Sequence, residues 1–398
     1  MRGHLPRVAL MLGNFATGIS ILAPAGMLTV LADGLGVGIR DTGLLVTFGA
    51  MILCVGSPLV AWLTTRIDRR LLLACTLAVL VAGQAASAFA PNYATVLALR
   101  LAMLTVAAIY TPQAASTVAM IVPTRERASA IAFVFLGWSL AVAGGLPMIT
   151  FIAAYAGWRA AFAATALAAL VPCLLLAFSL PGGLRGPPLS LASFGIIARH
   201  RKILLLLLIT ILQTSGQFTV FIYVSPLLMR LTGADHNVVG MMFAIYGVAG
   251  FAGNVIATRI VSALGGWVTS AVFLSSTFTG MMLWSLGAGF LPVMGIGIVF
   301  WGLGFAATNS MQQARLVVAA PDLSSATVGL NTSALYTGQA IGSALGGILF
   351  SQGYLHSIGY VGVTFVALGL AVWAITRDSP IGPDPAAAAQ RASVADAA

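Results

Sequence analysis

Residues 181–202 read PGGLRGPPLSLASFGIIARHRK, the longest polar break between the apolar runs of the chain. Glycine and proline discourage a continuing helix, and the stretch closes on Arg199, His200, Arg201 and Lys202. Outward from it on both sides, almost everything is apolar. Six hydrophobic runs precede it, at 8–32, 42–64, 71–90, 93–121, 129–154 and 158–180. Six follow, at 203–229, 238–262, 267–287, 291–318, 325–351 and 357–376. Each is near the ~20 residues with which a helix crosses a bilayer. Lipid offers no partner for backbone N–H and C=O groups, so each run is expected to be helical.

Composition agrees with this reading. Of 398 residues, 60% are hydrophobic and 7% are charged, against roughly 25% charged in a soluble domain. Such a chain cannot hydrate the surface of a water-facing globule. The first run is longer than the 7–15 apolar residues of a signal peptide, and it reads as the first membrane helix.

Charge then orients the spans. With the N-terminus in the cytoplasm, the inner segments hold Arg2, Arg7, Arg66, Arg69, Arg70, Arg125, Arg127, Arg185, Arg199, Arg201, Lys202, Arg259, Arg315, Arg377 and Arg391. The outer segments hold only Arg40, Arg159 and Arg230, with Arg100 inside a span. This bias puts both termini in the cytoplasm, and a missed span would scramble it. It also accounts for the net charge of +10 without a nucleic-acid partner, because the cations form no continuous patch.

The division that follows is 1–182 for a first six-helix half, 183–202 for a cytoplasmic linker, 203–378 for a second half and 379–398 for a disordered tail. Residues 189–198 have the pattern of a short amphipathic surface helix. The halves echo each other: Gly137, Ala141 and Gly145 in the fifth span match Gly338, Gly342 and Gly346 in the eleventh. Internal duplication of this kind is typical of secondary transporters. Cys54, Cys75 and Cys173 lie in apolar stretches and suggest free thiols. His4, His200, His236 and His356 are scattered, so neither a metal site nor a cofactor is expected.

The loop after the second span, Thr64-Thr65-Arg66-Ile67-Asp68-Arg69-Arg70, resembles the signature loop of the major facilitator superfamily. The fifth span, with Gly137, Gly144, Gly145 and Pro147 followed by Gly157-Trp158-Arg159, is similar to the antiporter motif of its bacterial drug:proton branch, which contains arabinose-efflux-like and purine-efflux-like exporters. The resemblance covers roughly residues 8 to 377. It implies an all-α integral membrane fold of twelve helices in two pseudo-symmetric halves. It further implies a monomeric exporter that moves a small organic solute by alternating access, with protons as the coupling ion. In the family the loop latches helices on the inner face. Here Thr65 stands at the usual acidic position, so Asp68 would have to supply the acid beside Arg66, Arg69 and Arg70.

Arg100 matches the arginine of the family's fourth-helix motif. A guanidinium in hydrocarbon normally faces an aqueous cavity or a partner, although snorkelling to the outer interface is open to it. All nine acidic residues fall at span ends, in loops or in the tail. That leaves Asp33 or Asp41, acting with Arg100 near the outer face, as candidates for proton coupling, with ordinary loop carboxylates as the alternative. Substrate contacts are expected from neutral polar and aromatic groups on facing helices: Asn14, Thr17, Tyr110, Gln113, Gln213, Gln217, Tyr246, Asn309, Gln313, Asn331 and Tyr336. Such a cavity suits an uncharged or weakly anionic solute better than a lipophilic cation. An uncoupled facilitator or an uptake permease of the same fold is the alternative. A membrane-embedded enzyme would need a cluster of acid, base, nucleophile or metal residues at one depth, and the dispersed histidines and carboxylates form none.

Overall fold

The computed structural model describes residues 4–64, 67–123, 126–185, 197, 199–320 and 323–377. In the first half α1 (Leu5–Gly26), α2 (Leu28–Leu35), α3 (Ile39–Leu63), α4 (Arg69–Ala88) and α5 (Tyr93–Ile121) follow in turn. Then α6 (Arg127–Leu140) runs through a π turn (Ala141–Gly145) into α7 (Leu146–Ser179). The second half holds α8 (Arg201–Phe221), α9 (Val224–Thr232), α10 (His236–Leu286), α11 (Leu291–Ala319), α12 (Ser324–Ser351) and α13 (Leu355–Ala374).

Among the described residues, nine helices are long and apolar enough to cross a membrane, and two of these segments run 51 residues. A straight helix of that length would span about 75 Å, more than twice the hydrocarbon. Both turn back at a glycine. Gly157 (φ 83°, ψ 165°) breaks α7, and Gly265 (φ 76°, ψ 162°) breaks α10. Only a residue without Cβ adopts those angles readily. Each long helix is therefore two spans.

The remaining span is α12, too rich in Gly, Ser and Thr to register as apolar although its 28 residues reach about 42 Å. It packs between α3 and α8. Small residues suit a helix that faces other helices rather than lipid. With α12 and the two breaks, twelve spans result, as the charge pattern requires.

The internal duplication is visible in the packing. An added Cβ at Gly137 would meet Met11, Asn14 and Phe15 of α1, and one at Gly338 would meet Ile211, Thr214 and Ser215 of α8. The fifth span thus sits on the first as the eleventh sits on the seventh. The first span of each half also breaks alike: α1 stops at Met27 and continues as α2, and α8 stops near Tyr223 and continues as α9. Arg66, most of the segment 183–202, including the surface helix expected at 189–198, and the tail 379–398 lie outside the described residues.

Candidate functional site

Two helix pairs join the halves: α3 with α12, and the α6–α7 bend with the first part of α10. In the first pair the Thr47 and Ser343 hydroxyls are 2.8 Å apart and the Cys54 thiol lies 3.0 Å from the Thr337 hydroxyl. In the second, the Tyr155 hydroxyl and the Asn237 amide are 3.3 Å apart. These contacts run from mid-helix to the arginine-poor end, where Thr29 also reaches the Met229 sulfur at 3.9 Å. The halves are closed there.

The bend in the fifth span makes this closure possible. Pro147 has no N–H to return to the Ala143 carbonyl, and Gly144 and Gly145 have low helix propensity. The chain opens into the π turn Ala141–Gly145, a form that recurs at functional sites. Its outer side receives Gly247 of α10 so closely that an added Cβ would collide with the Ala143 backbone.

Behind this seam, the second half holds a cluster of rings and amides. Tyr246 of α10 lies with its ring centroid 5.1 Å from Phe221, 5.1 Å from Trp301 and 5.3 Å from Phe305. Trp301 donates its indole N–H to the Gln217 side-chain oxygen at 3.0 Å, and the Gln217 amide donates to Gln213. Gln213 in turn donates to the Thr214 hydroxyl at 3.0 Å. The chain of donors ends there. The Tyr246 residue is 2% exposed, and its hydroxyl has no hydrogen-bond partner. A buried orphan of this kind costs about 1–3 kcal/mol.

Each half also has one polar node joining its first, fourth and fifth helices. In the first half the Asn14 amide donates to the Val134 carbonyl at 3.0 Å and accepts from Thr111 at 2.6 Å. In the second, Thr210 donates to Asn331 at 2.7 Å, and Asn331 donates to Asn309 at 3.1 Å. Gln313, half-buried, follows one turn below Asn309 on α11, and Tyr336 is buried on α12. Thr17 turns back to the Gly13 carbonyl at 2.8 Å, and Tyr110 donates to the Leu10 carbonyl at 3.3 Å. Of the residues expected at the substrate cavity, Gln213, Gln217 and Tyr246 are brought together with the ring cluster. Asn309 and Asn331 meet in the second node. Asn14, Thr17 and Tyr110 are spent inside the first half.

Residues 10–337 match the sequence profile of the Major Facilitator Superfamily. The chain belongs to that superfamily. It is 32% identical over 380 residues to the inner membrane transport protein YdhP of Escherichia coli K12, covering 94% of this chain and 95% of that one. It is 30% identical to the uncharacterized MFS-type transporter YtbD of Bacillus subtilis, over 94% of this chain and 96% of that one. Among solved structures, a D-xylose-proton symporter superposes with a TM-score of 0.73 at 14% identity, covering 93% of this chain and 97% of the symporter. A bacterial homologue of the human lysosomal transporter Spinster, in an inward-facing and occupied conformation, gives 0.68 at 17%, covering 94% and 98%. At those identities the structures speak for the fold. The chain is a multi-pass membrane transporter of the major facilitator type.

The loop that resembles the superfamily's signature is organised by Asp68, which does not stand at the motif's usual acidic position. Asp68 caps α4 by accepting from the Arg70 and Leu71 N–H groups at 2.9 and 3.3 Å, and its other oxygen accepts from the Gly183 N–H. The Arg69 N–H donates to the Leu184 carbonyl at 2.9 Å, and its guanidinium donates to Gln113. Gln113 therefore serves the loop. Together these bonds tie the described part of the second–third loop to the chain just after the sixth span, with Arg70 left exposed. Nearby, Arg7 and Glu126 form an ion pair at 2.9 Å.

Arg100, expected to face water, is 1% exposed and closed into carbonyls. Its Nε donates to Leu45 at 2.8 Å, and its terminal nitrogens donate to Ser20 at 3.1 Å and to Ile21. Pro24 explains the site: without an N–H it leaves the Ser20 carbonyl unpaired in α1. Gln84 donates to the same oxygen at 3.4 Å. Asp33 and Asp41, the carboxylates expected to act with Arg100, are exposed at helix ends on the arginine-poor side, and all three guanidinium nitrogens are taken by carbonyls. The expected partnership is not formed. Sequence reasoning missed Trp301, Phe221 and Phe305, which carry no polar signal, and Arg315, read as a loop charge but buried on α11.

Proposed function

We propose that the chain exports a small, uncharged or weakly anionic organic solute from the cytoplasm across the bacterial inner membrane, in exchange for protons. Alternating access of the two halves would carry it. The positive-inside rule puts the arginine-poor end outside, so the contacts at Thr47–Ser343 and Gly247–Ala143 close the halves on the outer side. Both termini then lie in the cytoplasm. Export is the direction supported by the resemblance of the fifth span to the antiporter motif of the exporter branch.

The observation carrying the solute class is the buried Tyr246 hydroxyl among Phe221, Trp301 and Phe305. Rings on several sides with one free donor and a nearby amide chain suit a flat molecule with a hydrogen-bond acceptor. A thermal-shift screen of the purified protein against purines, sugars, amino acids, neutral antibiotics and lipophilic cations tests this. Neutral ring compounds should stabilise the wild type, and Tyr246→Phe should weaken the best of them about tenfold. Stabilisation by lipophilic cations alone would overturn it.

Uncoupled facilitation is the second reading, favoured by the position of all nine acidic residues outside the spans. Uptake of a screened solute into everted vesicles, with and without an imposed pH gradient, separates the two. Accumulation that ignores the gradient would remove proton antiport.

A further inference from the structure

At the arginine-rich end, Arg201 and Lys202 open α8 and Arg377 follows α13. With Leu205, Ile375 and Thr376 they line a recess of about 400 Å³. Arg315 lies behind it, 2% exposed, donating to the Thr376 carbonyl at 2.6 Å and to its hydroxyl at 3.0 Å. Three cationic side chains thus line one hollow, with a fourth buried in its wall. The first turn of α8 adds to them, because His200 provides no side-chain cap and the leading N–H groups point outward with the positive end of the helix dipole. The described residues place no carboxylate within ion-pair distance of Arg201 or Arg377.

Depth is set by the neighbouring tryptophans. Trp267 and Trp373 stack with centroids 4.3 Å apart, each indole N–H donating to the other's backbone carbonyl at 3.4 and 3.0 Å. Arg377 lies over Trp267 at 5.5 Å. Tryptophan collects at the headgroup level of a bilayer, so the recess opens in that layer. Its flanks, Leu204 at 45% and Ile375 at 67% exposure, are apolar and uncovered by protein.

Charge that serves only to orient a helix need lie only on the correct side. Because α8 and α13 pack along each other, their basic ends meet at one hollow whose cations can also hold a ligand. We propose that this recess binds the headgroup of an anionic phospholipid of the cytoplasmic leaflet. The phosphate sits between Arg201, Arg377 and the α8 N-terminus, and the acyl chains run along Leu204 and Ile375. Basic hollows between membrane helices on this side are suited to that chemistry. Bound there, the lipid ties the first and last spans of the second half together at their arginine-rich ends.

The experiment is native mass spectrometry of the full-length protein in a non-ionic detergent, titrated with phosphatidylglycerol or phosphatidylcholine. Wild-type protein should retain phosphatidylglycerol at least tenfold more tightly. Arg201→Gln with Arg377→Gln should weaken it about 30-fold, the effect of two basic contacts at a membrane surface. The Lys pair, Arg201→Lys with Arg377→Lys, should keep most of the affinity. Arg259→Gln, an exposed arginine at the same end outside the recess, should bind as wild type. Equal affinity for the two lipids would overturn the proposal, as would an unchanged Gln pair or an equal loss in Arg259→Gln. Displacement of the lipid by an equimolar amount of inorganic phosphate would also overturn it, pointing to a free-anion site. If the Gln pair does not fold, the lipid contrast in the wild type and the Lys pair still decide.

Discussion

Both halves bury polar atoms without partners, Ser20 Oγ and Gln84 Oε1 in the first and the Tyr246 hydroxyl in the second, but the groups around them differ. In the first, Arg100 gives its nitrogens to Ser20, Ile21 and Leu45, and Asn14 is paired on both sides. In the second, a donor chain runs from Trp301 through Gln217 and Gln213 to Thr214, beside a tyrosine hydroxyl with nothing to hold. A satisfied network rigidifies its surroundings, and an unsatisfied one stores a penalty that a ligand can relieve. Under the proposed function, the Arg100 network of the first half serves as a frame and the ring cluster of the second half as the face that meets the solute. Fold-level symmetry does not require the halves to share the work.

The sharpest way to break this contrast is to remove Arg100. Arg100→Ala would remove three buried hydrogen bonds and leave a cavity where a fully buried side chain packed, an expected loss of about 3 kcal/mol or more. Thermal unfolding in detergent should show the loss with or without solute. Arg100→Lys should recover only part, because one ammonium cannot reproduce the forked geometry. A wild-type melting temperature in Arg100→Ala would mean the frame does not rest on it.

Next is the seam. Gly247→Ala drives a methyl into the Ala143 backbone, and overpacking of this kind costs about 1–3 kcal/mol. The protein should still fold, but the closed side should open. Spin labels at positions 155 and 237 should move apart, and transport should fall about tenfold. An unchanged label distance would refute this role for the π turn.

Smaller still is Tyr246→Phe. Removing an unpartnered hydroxyl should leave the melting temperature of the empty protein unchanged or slightly higher, while solute affinity falls by about 1–1.5 kcal/mol. Loss of stability without loss of affinity would make Tyr246 part of the frame after all. Thr47→Val, which deletes the hydrogen bond to Ser343, should shift the closed state by about 1 kcal/mol and change transport a few-fold.

The spans and their grouping were legible in the sequence because lipid enforces length and arginine enforces direction. The glycine echo at Gly137 and Gly338 was legible too, since close approach of backbones admits few residue types. The amides of the second half could be named because an amide in hydrocarbon needs a partner. The rings around Tyr246 could not, as Phe221, Trp301 and Phe305 are equally at home against lipid. Arg100 was visible but its partners were not: backbone carbonyls have no letter. The clue lay in Pro24, four residues after Ser20, which frees the oxygen that Arg100 takes.

The polarity of α12 bears on how the protein is made. A segment of Gly, Ser and Thr gains little by moving alone from the insertion channel into lipid. It finds its favourable surroundings only against α3 and α8, both synthesised earlier. Residence of the eleventh span in the bilayer therefore waits on its neighbours, and a ribosome nearing the end of the chain would have to find the second and seventh helices already standing in place.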